Sequence, residues 1–402
     1  MIGHLLRLAW NRRRTAFLLW LEMLVSFLVL AALGVGAASH LAEVHRPRGF
    51  DDRDVWAVTA EPEDGAHWGR WTVADSVAAQ QAYRVLQAQE GTVAVAEVTA
   101  LPYTGMSMNV VQRDGRTFDY YLTQVGDDFP RALSVPLAAG RWFGPEDDGL
   151  DSEPVVLNQS LATALFGTED PLGRTFALDR DGRQGLVVGL VREFRPFLFA
   201  ERPGRFAICR VRLDRAIPKE WPGLPMSYLI RVKPSTAVTF ARDIEEGLAT
   251  AAPTWRVRLA APLAQMRQQE LRFFLRPLVV FGVISTFLLL MVCLGLVGVL
   301  WQSVTQRTRE IGIRRAAGAS RQGICLQVVG EAVVLTTLAV GLGVILVLHS
   351  AVLDLFPQIE PGTYLAGLLS AAAVLYLLVA AASLYPGWLA TRVHPAEALH
   401  YE

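Results

Sequence analysis

Glu22 and Glu331 are each the one charged residue in a long apolar run, at 17–38 and 324–348. An ionisable side chain in such a setting is costly and often functional. Glu22 lies seven residues past Thr15 and Glu331 seven past Ile324, so both sit ~10 Å into their runs at ~1.5 Å per residue. Arg14 and Arg307 lie near enough in sequence to neutralise them. A structural ion pair, a carboxylate reaching the polar boundary, and a proton or substrate relay all fit this placement.

Other constellations that do chemistry are missing from the sequence. The only lysines, Lys219 and Lys233, do not follow a glycine. A Walker A loop needs Gly-Lys-Ser/Thr to hold phosphates, so this sequence has no such nucleotide site. The seven histidines form no His-Glu-x-x-His, and neither Gly105-Met-Ser-Met nor Gly318-Ala-Ser-Arg completes a nucleophile elbow. Asp127, Asp128, Glu146, Asp147 and Asp148 cluster in turn-like segments and read as solvated loop charge. The expectation is a chain with no catalytic, cofactor or metal residues and no nucleic-acid surface.

The densest pattern is Arg307-Thr-Arg309-Glu310-Ile311-Gly312-Ile313-Arg314-Arg315-Ala-Ala-Gly318. As a helix it sets Arg307, Glu310 and Arg314 along one face at pairing distance. Ile311, Arg315 and Gly318 follow a second face, and Ile313 a third. Charge alone would make this a basic loop; the order of residue types says more.

These residues must be positioned by membrane helices. The chain is 52% hydrophobic, with a mean hydropathy of +0.31, and the excess gathers in four runs, 17–38, 278–300, 324–348 and 363–385. Each is near the ~20 residues needed to cross a bilayer. The organisation expected is an amphipathic cytoplasmic leader (1–14), a first span (15–38), an outer α+β domain with a stalk helix (39–277) and a second span (278–301). A cytoplasmic coupling helix (302–323), a third span (324–349), a short outer loop (350–362), a fourth span (363–385) and a cytoplasmic tail (386–402) follow. Arginines crowd 1–14 and 302–323, whereas 350–362 holds only Asp354 and Glu360; positive charge stays inside, so both termini are expected in the cytoplasm.

Within 39–277 the period shortens. Runs at 54–59, 93–99, 117–125, 154–157, 186–191, 205–211 and 228–232 read as strands. Asp-Gly pairs at 114–115 and 181–182 signal tight hairpins. Helices are expected at 75–89, at 159–166 after the cap-like Asn158, and at 237–249 after Thr236. This is an α+β pattern of one or two lobes. Residues 262–276 are polar, helical in period and run straight into the second span. Cys209 is the one outer cysteine, so the domain has no internal disulfide and must be held by its core. Gly34, Gly36, Gly295, Gly298, Gly341 and Gly343 are expected to permit close helix packing.

Arg309–Ala319 resembles the Glu-Ile-Gly-Ile-Arg-Arg-Ala-x-Gly-Ala loop of MacB/FtsX-type permeases of ABC transporters. The tail is similar to that family's ending, with Ala390, Pro395, Glu397, Ala398, Leu399 and Tyr401 in place and His400 where arginine is commoner. Gly140-Arg-Trp-Phe, Val155-Val-Leu-Asn158, Leu165-Phe-Gly167, Pro171-Leu-Gly173 and Val187-Val-Gly-Leu-Val191 follow the order of its periplasmic core. The resemblance implies a non-catalytic permease subunit of the bacterial inner membrane that binds no cofactor itself. Its implied partners are separate ABC ATPase subunits that use ATP, a second permease (identical or different), membrane lipid and, as a further candidate, a periplasmic adaptor. It implies ATPase contact through Arg307–Gly318, with Pro395, Glu397 and Leu399 of the tail beside it, and movement of the outer domain for export or extrusion. The alternative is a mechanical regulator of a periplasmic cell-wall hydrolase.

Overall fold

A computed structural model describes residues 13–63, 72–104, 107–113, 116–178, 183–197, 204–211, 226–234, 236, 239–316, 318–353, 359 and 361–391. They divide near Val44 and Phe273 into two units.

Helix α1 (Arg13–His45) leads into the outer unit. Its elements are β1 (Val55–Pro62), α2 (Val73–Ala88), β2 (Thr92–Val98), β3 (Ser107–Arg113), β4 (Arg116–Val125), α3 (Phe129–Leu133), β5 (Leu137–Gly140) and β6 (Glu153–Asn158). There follow α4 (Gln159–Phe166), β7 (Thr175–Ala177), β8 (Gln184–Val191), β9 (Phe206–Arg210), β10 (Met226–Val232), α5 (Phe240–Ala251) and β11 (Trp255–Pro262). The described strands form one sheet in the order β11-β1-β10-β2-β4-β9-β6-β8-β5, with β3 on β4 and β7 on β8. The first four are mutually antiparallel, and with α2 after β1 and α5 after β10 they make a split β-α-β lobe. A second lobe, β3 to β9, is inserted between β2 and β10. There β4–β9 and β6–β8 run parallel.

The sheet is covered on both faces, and side-chain alternation sorts the residues. Ala57, Ala96, Leu229, Val156 and Ile208 enter one core that crosses both lobes and takes in Phe129, Phe194, Leu263 and Met266. Their neighbours Val58, Val95, Tyr228 and Ile230 face α2 and α5, while Val155, Leu157, Ala207 and Cys209 face α4. Strands buried on both sides read as continuous apolar runs, which is why they were visible in the sequence.

Local chemistry sets the helix starts. Thr72 and Asp75 form a reciprocal cap on α2, in which the Asp75 carboxylate accepts from Thr72 N at 2.8 Å. Asn158 Oδ1 accepts from Leu161 N at 3.1 Å. Thr236 does not cap the helix expected from 237: its hydroxyl donates to Lys233 O (2.7 Å), closing a turn, and α5 begins at Phe240. The hairpin dipeptides at 114–115 and 181–182 lie outside the described residues, though Arg113 pairs with Arg116 across the first. Strand β11 was not foreseen, because arginine alternates with Trp255, Val257 and Leu259 on a sheet edge.

The other unit holds α1 with α6 (Leu263–Gln306), α7 (Thr308–Ala316), α8 (Arg321–Val352) and α9 (Pro361–Thr391). Four of these helices, all but α7, are long and apolar enough to cross a membrane. Met23, Phe27, Ala31, Val292, Leu296, Ala332, Ala339, Ala371 and Leu375 form their common core. Helix α1 lies backbone to backbone on α9: a Cβ on Gly367 would lie 2.4 Å from Val35 N, and one on Gly34 2.7 Å from Ser370 Oγ. Gly343 accepts the Phe27 ring in the same way. Gly298 and Gly341, grouped with the packing glycines by sequence, have nothing described within 4 Å of an added Cβ. Gly367 was missed because no second glycine stands within four residues of it.

Gly367→Val should therefore destabilise the helix unit by about 1–3 kcal/mol, the usual overpacking range, while Gly298→Val leaves it unchanged. Thermal unfolding of the detergent-purified variants reads the difference.

Candidate coupling site

Helix α6 ends at Gln306 and α7 begins at Thr308, leaving Arg307 as the whole connection. The turn is closed by Arg307 N donating to Val304 O (3.1 Å) and Ile311 N donating to Arg307 O (2.9 Å). The Thr308 hydroxyl caps the turn by donating to Thr305 O at 2.7 Å. Beyond α7, Gly318 takes φ +95°, a left-handed conformation that stops the helix. Ser320 then caps α8 by accepting from Gly323 N at 3.1 Å.

The two isoleucines of α7 separate. Ile311 is buried among Val304, Ile324 and Ala390, from the ends of α6, α8 and α9. Ile313 is half exposed, at 52%, and Gly312 between them is buried. Arg314 donates to Gln327 Oε1 of α8 at 2.9 Å and pairs with Glu310 at 2.5 Å. Arg307 reaches Glu331 Oε1 at 3.0 Å, with both side chains 20% exposed. These groups line one crevice with Leu300 and Ser303. Main-chain helix is described at Arg309 and Arg315, whose side chains are not. Pro395, Glu397 and Leu399 lie outside the described residues.

Glu22 is set differently from Glu331. Its Oε2 lies 3.1 Å from where a Cβ on Gly295 would stand, so α6 gives way to the carboxylate by having glycine there. An ion pair with an interhelical arginine is thus present for Glu331, and a glycine-lined niche is present for Glu22.

At its other end α6 is anchored in the outer unit. Arg267, in its first turns, reaches Asp52 Oδ2 at 3.3 Å. The same oxygen takes Arg48 Nη1 at 2.6 Å and the Tyr103 hydroxyl at 2.9 Å, and Arg48 also donates to Tyr103 at 2.8 Å. Asp52 is 8% exposed. Burial, then the neighbouring carboxylate, pushes the Tyr103 phenol well above its ordinary value, so it remains a donor. Sequence reading missed this cluster, because its members come from three distant segments.

The motif residues of 140–191 have structural work. Gly140 takes φ +74° and an added Cβ would lie 2.4 Å from Val188 O. Trp142 and Phe143 enter the shared core. Buried Asn158 also accepts from Phe206 N (3.0 Å) and donates to Gly204 O (2.6 Å), tying β6 to β9. Asp147, expected to be solvated, is buried: Arg141 and Gly144 N bind it, at 2.5 and 3.0 Å. The Arg141 guanidinium holds its carboxyl below the usual range.

Two family models match this chain: the MacB-like periplasmic core domain over residues 25–246 and the FtsX-like permease C-terminal region over 282–395. The first alone covers more than half of the sequence, and the chain belongs to this MacB/FtsX-type family of ABC transporter permeases. Among curated relatives, an uncharacterised ABC transporter permease, YvrN of Bacillus subtilis, is 25% identical over 69% of this chain and 69% of its own length. A macrolide export ATP-binding/permease protein MacB from Rhodospirillum rubrum is 29% identical over 63% of this chain. One from Brucella melitensis is 25% identical over 94%. The chain spans 39% and 56% of those two proteins' lengths. A solved periplasmic region of MacB from Actinobacillus actinomycetemcomitans aligns with 57% of this chain and 97% of its own, at 15% identity and TM-score 0.38.

Removing Arg307 leaves Glu331 with an uncompensated charge. We expect Arg307→Met to destabilise the helix unit more than Arg307→Met/Glu331→Gln does. The coupling energy should lie within about 0.5–3 kcal/mol, measured as a double-mutant cycle of unfolding in detergent.

Proposed function

We propose that this chain is the membrane-spanning subunit of an inner-membrane ABC exporter. It receives the stroke of a separate ATPase at α7 and delivers it to the outer domain. The observation that carries this reading is α7 itself, held to its own helices through Ile311, Arg307 and Arg314 while Ile313 is left exposed. A segment fixed on one side and apolar on the other suits a partner groove, and hot spots form where such anchors fill pockets. Arginine-rich stretches at 1–14 and 302–323 support a cytoplasmic location for both. Export as the task is supported by the names of the MacB relatives. In this reading the permease works as a homodimer or heterodimer, ATP is handled only by the partner, and the chain performs no chemistry.

Glu310 pairs with Arg314, and Arg307, Arg309 and Arg315 stand within five residues of it in sequence. Replacing it with arginine puts like charges at the contact, which can cost several kcal/mol at an interface. Glu310→Arg should abolish co-purification of the ATPase, or stimulation of its turnover, with the outer domain still folded. The same result requires 302–323 to lie in the cytoplasm. Unchanged binding and turnover would move the contact away from α7 and defeat the proposal.

A further inference from the structure

Helix α7 is nine residues long, with Gly312 near its middle. A helix this short is marginal on its own, and an internal glycine weakens it further. Its shape must come from what it rests on. Arg307, Ile311 and Arg314 fall on one stripe at i, i+4 and i+7. The first turns of α8 answer with two stripes of their own. Ile324 and Val328 share the apolar cluster of Ile311. Gln327 and Glu331, also four apart, accept from the two arginines.

The two polar ties differ in what else holds the chain beside them. Arg307 stands at the α6–α7 turn, which main-chain bonds already close. Glu331 therefore adds a side-chain tie where the backbone is fixed. Arg314 stands in the last turn of α7, which ends at Ala316. The main chain there bonds to itself, with Ala319 N donating to Arg314 O at 3.0 Å. The guanidinium uses both arms of its fork: Nη2 reaches Glu310, one turn back, at 2.5 Å, and Nη1 donates to Gln327 Oε1 at 2.9 Å. Among the described residues, Gln327 is the polar group of α8 that reaches this end of α7.

We propose that Gln327 is a positioning residue of the coupling site. Through Arg314 it keeps the last turn of α7 helical and docked on α8, with the neighbouring Ile313 left on the exposed side. The inference rests on the reading of α7 as the ATPase contact. Gln327 acts through an acceptor oxygen, so a glutamate can replace it and a leucine of similar size cannot.

Amide hydrogen exchange of the full chain in nanodiscs, read by mass spectrometry, tests the local claim without any ATPase. A peptide covering 308–316 reports α7, and one from α4 serves as the internal standard. In Gln327→Leu the protection of 308–316 should fall about fivefold, the worth of one hydrogen bond in a partly exposed setting, with the standard unchanged. Gln327→Glu should keep the wild-type protection. In an Arg314→Met background, Gln327→Leu should add nothing. Unchanged protection in Gln327→Leu, or a further loss in the Arg314→Met background, overturns the proposal. With the co-purifying ATPase added, Gln327→Leu should lower the stimulated kcat and leave KM for ATP unaltered, and Gln327→Glu should restore it. Lost stimulation with full protection of 308–316 would overturn the positioning role alone. Lost protection with full stimulation would overturn that role together with the reading of α7 as the contact. Should Gln327→Leu fail to fold, Arg314→Lys keeps the charge without the fork and must lower the same protection; an unmoved value overturns the proposal equally.

Discussion

The Asp52 carboxylate is the point on which the rest depends. It is nearly closed off from water and is satisfied only when Arg48, Tyr103 and Arg267 all converge on it. A buried charge without such partners costs several kcal/mol, so the domain closes properly only with these three segments in place. Arg48 follows directly on α1, and Arg267 belongs to the first turns of α6. The two routes by which the chain joins the outer unit are thus fastened to one oxygen.

Helix α6 extends the constraint. It runs unbroken for 44 residues, ~66 Å at ~1.5 Å per residue, with Arg267 near its start and Val304 at its end. Pro277 inside it withholds one backbone donor, making that the position where the helix bends most easily. At Gln306 a single residue leads into α7. Helix α7 is thus pinned by Ile311, Arg307 and Arg314 and joined to α6 with no loop between them.

How legible this was in the sequence follows from the range of the interactions. The spans, the doubly buried strands and the Asn158 cap are local or periodic signals, and they appeared at once. Strand β11 was hidden because edge position lets arginine replace half its apolar set. Asp147 was misjudged because acidic turn residues are usually solvated, and only Arg141 folding back on it makes it buried. The motif glycines and asparagine of 140–191 are visible as a pattern, yet their reasons, such as Gly140 under Val188 O, exist only once β5 lies beside β8. Asp52 and Gly367 carried no signal, since each takes its meaning from residues dozens to hundreds of positions away. Along 307–314 the face of Arg307, Glu310 and Arg314 was legible, but Gly318, read as part of a helix face, lies past the end of α7, and which isoleucine turned inward needed the ends of α6, α8 and α9.

The most direct test of the account follows a displacement from α7 into the outer domain. The chain would be reconstituted in nanodiscs with the ATPase that co-purifies with it. Spin labels at exposed positions 87 and 160, on α2 and α4, report the lobe-to-lobe distance by pulsed electron resonance, with and without ATP and vanadate. The account predicts that trapping the ATPase shifts this distance in the wild type. It predicts no shift in Asp52→Asn, although ATP turnover continues. A shift of equal size in Asp52→Asn would contradict it.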